Sequence, residues 1–290
     1  MMPKREPLTF RFKKHDWHLG EIPRMMGVLN VTPDSFSDGG NFDSVDTAVS
    51  HALAMAAAGV DVIDIGGEST RPGAERVPIA VEQERVLPVV TALKKQLPTM
   101  PLSIDTRKPE VAGVALESGA DIINDVSGFR DPDMIRLAAA TGAGCILMHM
   151  RGTPENMREF TEYHDLTGEI ISFFEQRIES CRAGGIASCQ IILDPGIGFS
   201  KNAAQNLELI QTISRFRALG HPVLMGPSRK SFIGKILGEE AAAGRIWGTA
   251  AAVALCVYEG ADIVRVHDVA EMRDAALVAA AIRTGEISVQ

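Results

Sequence analysis

Short runs of β-branched and other apolar residues recur along the chain, each ending in polar side chains: residues 25–31, 60–65, 102–106, 121–126, 144–149, 190–195, 222–228 and 261–268. Between them lie alanine-rich stretches of helical period, among them 45–58, 109–118, 134–141 and 245–259. Strands alternating with helices of that length predict βαβ units and a parallel sheet. Gly59, Gly119, Gly142, Gly185, Gly220 and Gly260 stand where a helix must be ended by a left-handed residue before the chain enters the next strand. Eight such units predict a closed (β/α)8 (TIM) barrel, with a doubly wound open sheet as the alternative. Either fold places ligands at the carboxyl ends of its strands.

Asn30, Glu68, Asp105, Asn124, Asp194, Lys230, Arg265 and His267 all stand at or just beyond those ends. Taken singly, each reads as a helix cap or a solvated loop group. A closed barrel gathers all of them around one mouth, which is hard to obtain by chance. Residues 1–23 lie outside the repeat and alternate loosely around a turn at 14–16, which predicts a hairpin lidding the amino-terminal end of the barrel. His15 and His18 in that stretch have no carboxylate-rich neighbours and read as surface residues. Residues 24–290 then form a single barrel domain.

Composition agrees with this. A chain of 290 residues with 46% hydrophobic content suffices for one barrel, which commonly takes about 250 residues. The net charge of −8 argues against a general nucleic-acid or membrane-surface role, since both want distributed basic charge. No apolar run reaches the roughly 18 residues of a membrane helix, and the first residues lack the apolar core of a secretory signal, so the expected location is the cytoplasm. Cys145, Cys181, Cys189 and Cys256 show no paired spacing and read as reduced thiols.

Two loops stand out. Residues 30–40, NVTPDSFSDGG, are polar and end in Gly39 and Gly40, with Phe36 the one side chain suited to burial; this is the composition of a lid. Residues 66–73, GGESTRPG, bring an arginine and hydroxyls to the same side of the barrel.

The segments LNVTPDSFSDGG, GGESTRPG, SIDT, IINDVSG, LDPGIGF, GPSRKSF and VRVHDV, in this order and at these spacings, resemble the dihydropteroate synthase family. The resemblance runs from about Arg24 to the last helix. It implies a (β/α)8 enzyme of folate biosynthesis that joins (7,8-dihydropterin-6-yl)methyl diphosphate to 4-aminobenzoate and releases pyrophosphate. It assigns Thr70, Asp105, Asn124, Met148, Asp194, Phe199, Lys230, Arg265, Val266 and His267 to the pterin diphosphate. It assigns Phe36, Thr70, Arg71, Pro72, Phe199, Lys230 and Ser231 to 4-aminobenzoate, and Asn30 to a Mg2+ ion. It further implies inhibition by sulfonamides, which mimic 4-aminobenzoate, and a homodimer.

The residue types suit that chemistry. A pterin presents an aminopyrimidinone edge that carboxylates and amides read in a planar, paired manner, and Asp105, Asn124 and Asp194 supply them. Met148 and Phe199 add apolar contact to the ring faces, and Lys230 a donor to the ring carbonyl or a ring nitrogen. Asp105 reads equally as the N-cap of the next helix, and Asp194 as a turn former. Arg265 and His267, two apart on a strand, share one face; an arginine fork fits a phosphate and a histidine adds a hydrogen bond. Asn30 offers a hard oxygen suited to Mg2+, which keeps waters and binds largely through substrate phosphates. No HxH or CxxC pair points to zinc. An arylamine is already nucleophilic, so the demanding step is carbon–oxygen cleavage, and the Asp105 charge is placed to stabilise the resulting pterin cation. The catalytic set is therefore Asp105, Lys230, Arg265 and His267. Two alternatives stay open: a pterin-binding methyltransferase barrel that hands a folate methyl group to a corrinoid protein, and a non-catalytic pterin-binding paralogue. Many small apolar residues on 250–258 and 275–282 suit packing against a second barrel.

Overall fold

The computed structural model describes residues 5–32 and 41–287. Phe36, expected at the 4-aminobenzoate site, lies outside them. Eight parallel strands, β3 (Arg24–Asn30), β4 (Val62–Gly66), β5 (Leu102–Asp105), β6 (Ile122–Asp125), β7 (Gly144–Met148), β8 (Ile191–Asp194), β9 (Leu224–Met225) and β10 (Ile263–Val266), pair in the order β8-β7-β6-β5-β4-β3-β10-β9. A bridge between Leu193 and Val223, with the Leu193 N–H donating to the Pro222 carbonyl at 2.9 Å, joins β8 to β9 and closes the ring. The fold is a (β/α)8 barrel, and the open-sheet alternative falls.

All six helix-ending glycines have positive φ, from 65° at Gly142 to 117° at Gly119. The predicted strands hold to within a few residues except the seventh, where Pro222, Gly226 and Pro227 leave only Leu224–Met225 in regular pairing. Period-two alternation divides each strand between two cores. Outward residues such as Ile63, Ile104, Leu147 and Val264 pack with the helices in one continuous shell. Inward residues near the strand starts, Met26, Val62, Ile122, Ile146, Ile192, Leu224 and Ile263, form a separate plug. At the other end of the same inward rows stand Asn30, Asp105, Asn124, Met148, Asp194 and Arg265.

The plug is completed from below by a hairpin of β1 (Leu8–Phe12) and β2 (His15–Leu19), as expected for residues 1–23. Its turn is Lys13–Lys14, one residue earlier than the alternation suggests, and Lys13 adopts φ 46°. The reason is anchorage: the Lys13 ammonium donates to the carbonyls of Leu116 and Ala120 at 3.2 and 2.7 Å, while Phe10 and Phe12 both turn inward. Gly144 at the start of β7 makes that fit possible, since a Cβ there would lie 2.5 Å from Phe10 Cζ and 3.0 Å from Phe12 Cβ. The four cysteines are unpaired, three of them buried.

Around the barrel run the helices α1 (Asn41–Ala57), α2 (Ile79–Gln96), α3 (Pro109–Glu117), α4 (Pro132–Thr141), α5 (Leu166–Ala183), α6 (Ala203–Gln211), α7 (Ile213–Arg217), α8 (Ser231–Leu237), α9 (Ile246–Glu259) and α10 (Val269–Thr284).

Candidate active site

A cavity opens at the carboxyl ends of the strands, lined by Thr70, Asp105, Asn124, Val126, Met148, Asp194, Ile197, Phe199, Gly226, Lys230 and Arg265. A larger cleft lies at the opposite end between the hairpin and α10, where Arg24 and Asp61 pair at 2.6 Å. Convergent chemistry, not size, distinguishes the smaller cavity.

Barrel register explains the convergence. Asp105 pairs with Asn124 across β5 and β6, and Met148 pairs with Asp194 across β7 and β8, so four pocket residues are strand neighbours. Arg265 enters from β10 and donates from Nε to Asp64 at 2.6 Å and from Nη2 to Asp105 at 2.8 Å. Asn124 Nδ2 donates to the same Asp64 oxygen at 3.0 Å. Asp64, Asn124, Asp105 and Arg265 are thus one buried network whose outer members face the cavity. Asp105 Oδ1 is buried and takes no bond among the described residues, leaving an acceptor for a ligand N–H.

Burial pushes the Asp105 carboxyl up, against the Arg265 charge and with the help of the Asp64 carboxylate, to about 7. Burial works to lower Arg265, but the Asp64 and Asp105 carboxylates outweigh it and keep the guanidinium charged. Asp105 does not cap α3, where Lys108 holds that position. Asp194 serves the turn as well as the cavity: its Oδ1 accepts the Gly196 N–H at 2.7 Å, while burial raises its carboxyl. The Lys230 ammonium lies 4.3 Å from the Phe199 ring centroid and is pushed down to about 8, by burial first and then by the Arg265 charge.

His267 stands one residue past the end of β10, with Nδ1 3.0 Å from Ser228 Oγ and its own N–H donating to that oxygen at 3.2 Å. Burial and the Arg265 and Arg229 charges push it down to about 3, so it is neutral. Alternation turns the Val266 side chain away from Arg265 into the barrel–helix core, where it is fully buried, so its side chain does not face the cavity. Thr70 lines the cavity; Arg71 and Pro72 are exposed at its edge, and Arg71 is near enough to contribute to the lowering of Lys230. Ser231 is exposed at the first turn of α8. Asn30 ends β3, its Oδ1 lying 3.6 Å from where a Cβ on Gly66 would stand, and a Cβ of Asp105 lies equally near that point. Among the described residues no three His, Cys, Asp or Glu side chains gather as a metal cage. One neutral amide oxygen fits an ion carried by substrate phosphates and waters.

A model of the family described as pterin binding enzyme matches residues 26–267. The dihydropteroate synthase of Synechocystis sp. is 49% identical over 277 residues, covering 95% of each chain. The chain belongs to the dihydropteroate synthase family. Two solved structures of that family agree in shape. The Yersinia pestis dihydropteroate synthase in a sulfonamide drug complex superposes with a TM-score of 0.89 at 42% identity, covering 96% of this chain and all of that one. The Xanthomonas albilineans dihydropteroate synthase in complex with 7,8-dihydropteroate gives 0.85 at 39% identity, covering 95% and 98%.

Several contributors escape a reading of the sequence. Asp64 sits inside the apolar run VIDIG; the signal was its place two residues before Gly66, which makes it inward-facing in a barrel strand. Val126 and Ile197 also line the cavity. Lys201 is buried, with Nζ 3.1 Å from His149 Nδ1 and donating to the carbonyls of Phe199 and His149 at 2.8 and 3.3 Å; it ties the Phe199 loop to the end of β7. Burial pushes it down to about 7.

Proposed function

We propose that this chain is a dihydropteroate synthase: it joins (7,8-dihydropterin-6-yl)methyl diphosphate to 4-aminobenzoate, forming 7,8-dihydropteroate and pyrophosphate. The observation that carries the reading is the convergence of Asp105, Asn124, Asp194 and Lys230, from four separate strand ends, on one cavity walled by Met148 and Phe199.

In this reading the pterin edge is bound by Asp105, Asn124 and Asp194, with Lys230 donating to its oxygen or a ring nitrogen. Two of the three Arg265 nitrogens are held by Asp64 and Asp105, and the third is directed to the diphosphate. Neutral His267, held by Ser228, gives a further hydrogen bond to the departing anion without competing for the positive charge. Asn30 would hold a Mg2+ ion, whose positive charge would stabilise the departing diphosphate. Carbon–oxygen cleavage leaves a delocalised pterin cation opposite the Asp105 carboxylate, and the arylamine then attacks the methylene carbon and loses a proton to give the neutral secondary amine. Thr70, Arg71, Pro72, Phe199, Lys230 and Ser231, joined by Phe36, receive 4-aminobenzoate and the sulfonamides that mimic it. Mixing both substrates with the protein tests the function: pyrophosphate and dihydropteroate are expected in equal amounts. Release of neither, with methyl transfer from a methylated folate, would favour the methyltransferase reading, and tight pterin binding without turnover the paralogue.

An acid limb follows from Asp105. The charged form is the active one and its pKa is raised, so kcat/KM for the pterin substrate is expected to be full above about pH 7 and to fall as pH drops through that value. A pH profile of the parent beside Asp105→Asn checks this; a limb of the same position in both would assign it to another group. A homodimer, built on the exposed Ile236, Leu237, Trp247, Leu255, Val278 and Ile282 of α8, α9 and α10, completes the proposal. Sedimentation should give twice the 31.1 kDa chain mass, and a monomer at micromolar concentration would contradict it. Among the described residues no single helix is long and apolar enough to cross a membrane; we place the enzyme in the cytoplasm.

A further inference from the structure

The segment between β4 and α2, residues 67–78, carries Thr70, Arg71 and Pro72, and its footing is built unlike an ordinary surface loop. Its first residue, Gly67, lies against α2, where a Cβ would come within 2.7 Å of Val86 and 3.0 Å of Glu82, and its carbonyl accepts Arg85 Nη1 at 2.8 Å. The next residue, Glu68, is buried. Its Oε2 accepts the backbone N–H of Val77, at the far end of the same segment, at 2.8 Å.

Lys108, the residue before α3 and only 3% exposed, reaches into this closure from a different βα unit. Its ammonium donates to Glu68 at 2.6 Å, to the Val77 carbonyl at 2.7 Å and to Glu82 on α2. An ammonium has three N–H donors, and here all three are used. Arg107 Nε adds a bond to Glu68 Oε1 at 3.2 Å, so two carboxylates meet two cations in a buried, charge-balanced cluster. The residues between the fastened ends are largely exposed, and Gly73 near the middle donates its N–H to the Pro154 carbonyl at 2.9 Å.

We propose that Lys108 and Glu68 are positioning residues for the arylamine site. They clasp the two ends of the 67–78 segment together and to α2, so that Thr70, Arg71 and Pro72 are presented at the cavity mouth from a fixed base. The proposal rests on the reading that these three residues receive 4-aminobenzoate. Neither clasp residue touches the pterin cavity. Loosening the clasp returns about ten residues of chain to free motion, and that ordering cost then falls on the ligand the segment receives.

The test compares Lys108→Met and Glu68→Gln with the parent in two measurements. Trypsin cleavage of the Arg76–Val77 bond reads the clasp itself, since both backbone groups of Val77 are held by it and Arg76 is exposed. Cleavage at that bond is expected to be about 10-fold faster or more at a temperature where the variant is fully folded by circular dichroism. KM for 4-aminobenzoate is expected to rise about 10-fold, with KM for the pterin diphosphate within about twofold of the parent. Glu68→Gln keeps the Lys108–Glu82 pair and carries both measurements if Lys108→Met does not fold. Parent-like cleavage would overturn the clasp, whatever the kinetics. Faster cleavage with both KM values raised alike, or with neither raised, would overturn the positioning role. An Arg71→Ala control separates the two layers. If it raises KM for 4-aminobenzoate and the clasp variants do not, the proposal alone fails; if it too leaves that KM unchanged, the arylamine reading of the segment fails, and the positioning role with it.

Discussion

Asp105→Asn is expected to lower turnover by a factor on the order of 100 or more while leaving the barrel folded. The amide keeps the size of the side chain and an oxygen for Arg265 Nη2, so the network of Asp64, Asn124 and Arg265 retains its shape. What it removes is the negative charge facing the pterin as the carbon–oxygen bond breaks. Inside a cavity walled by Met148, Phe199 and Val126, where water screens little, that charge acts at close to full strength. The measurement is turnover at saturating concentrations of both substrates, with circular dichroism as the control for folding. A rate within about threefold of the parent, well short of one preorganised electrostatic group, would rule out the role.

Arg265→Ala is expected to do damage of two kinds. Sequence alone assigns Arg265 to the diphosphate, and in the structure it also separates two buried carboxylates, Asp64 at 0% and Asp105 at 6% exposure. Removing one partner of such a cluster leaves uncompensated buried charge, a cost in folding stability of roughly 3 kcal/mol or more. The sign of the accompanying pH effect is fixed. Arg265 lowers the Asp105 pKa, so its loss raises that pKa further, and the acid limb moves to higher pH. Binding of a pterin without a diphosphate should therefore weaken along with binding of the diphosphate substrate. Calorimetry with the two ligands and a pH profile of the variant check this. An unshifted limb, with only the diphosphate ligand weakened, would show that Arg265 is a phosphate clamp and nothing more.

Features governed by local rules are legible in the sequence. A left-handed glycine after each of six helices, and polar residues after each apolar run, depend on a few neighbouring positions, and so the barrel and most of its rim could be read. Period two also carries the inward row, which is why Asp105, Asn124, Met148 and Asp194 fall together. Applied to every strand without reference to motifs, the same rule would have found Asp64 and excluded the side chain of Val266. Other features depend on pairings between distant segments and have no local signature. The Glu68–Glu82–Lys108 cluster joins two βα units, and Lys201 reaches back to His149, so neither could be recognised before the chain was folded. The raised Asp105 and neutral His267 follow from burial, which composition does not reveal.

The central claim is that the carbon–oxygen bond breaks to give a pterin cation before the arylamine bonds to carbon. Its most direct test is the secondary isotope effect from deuterium on the methylene carbon that carries the diphosphate, read in a single turnover with saturating 4-aminobenzoate. Cleavage ahead of attack converts that carbon from tetrahedral to trigonal and loosens its C–H bending, so the light substrate should react measurably faster. A ratio at or below one would mean that the amine is already bonding as the diphosphate leaves, and would contradict the account.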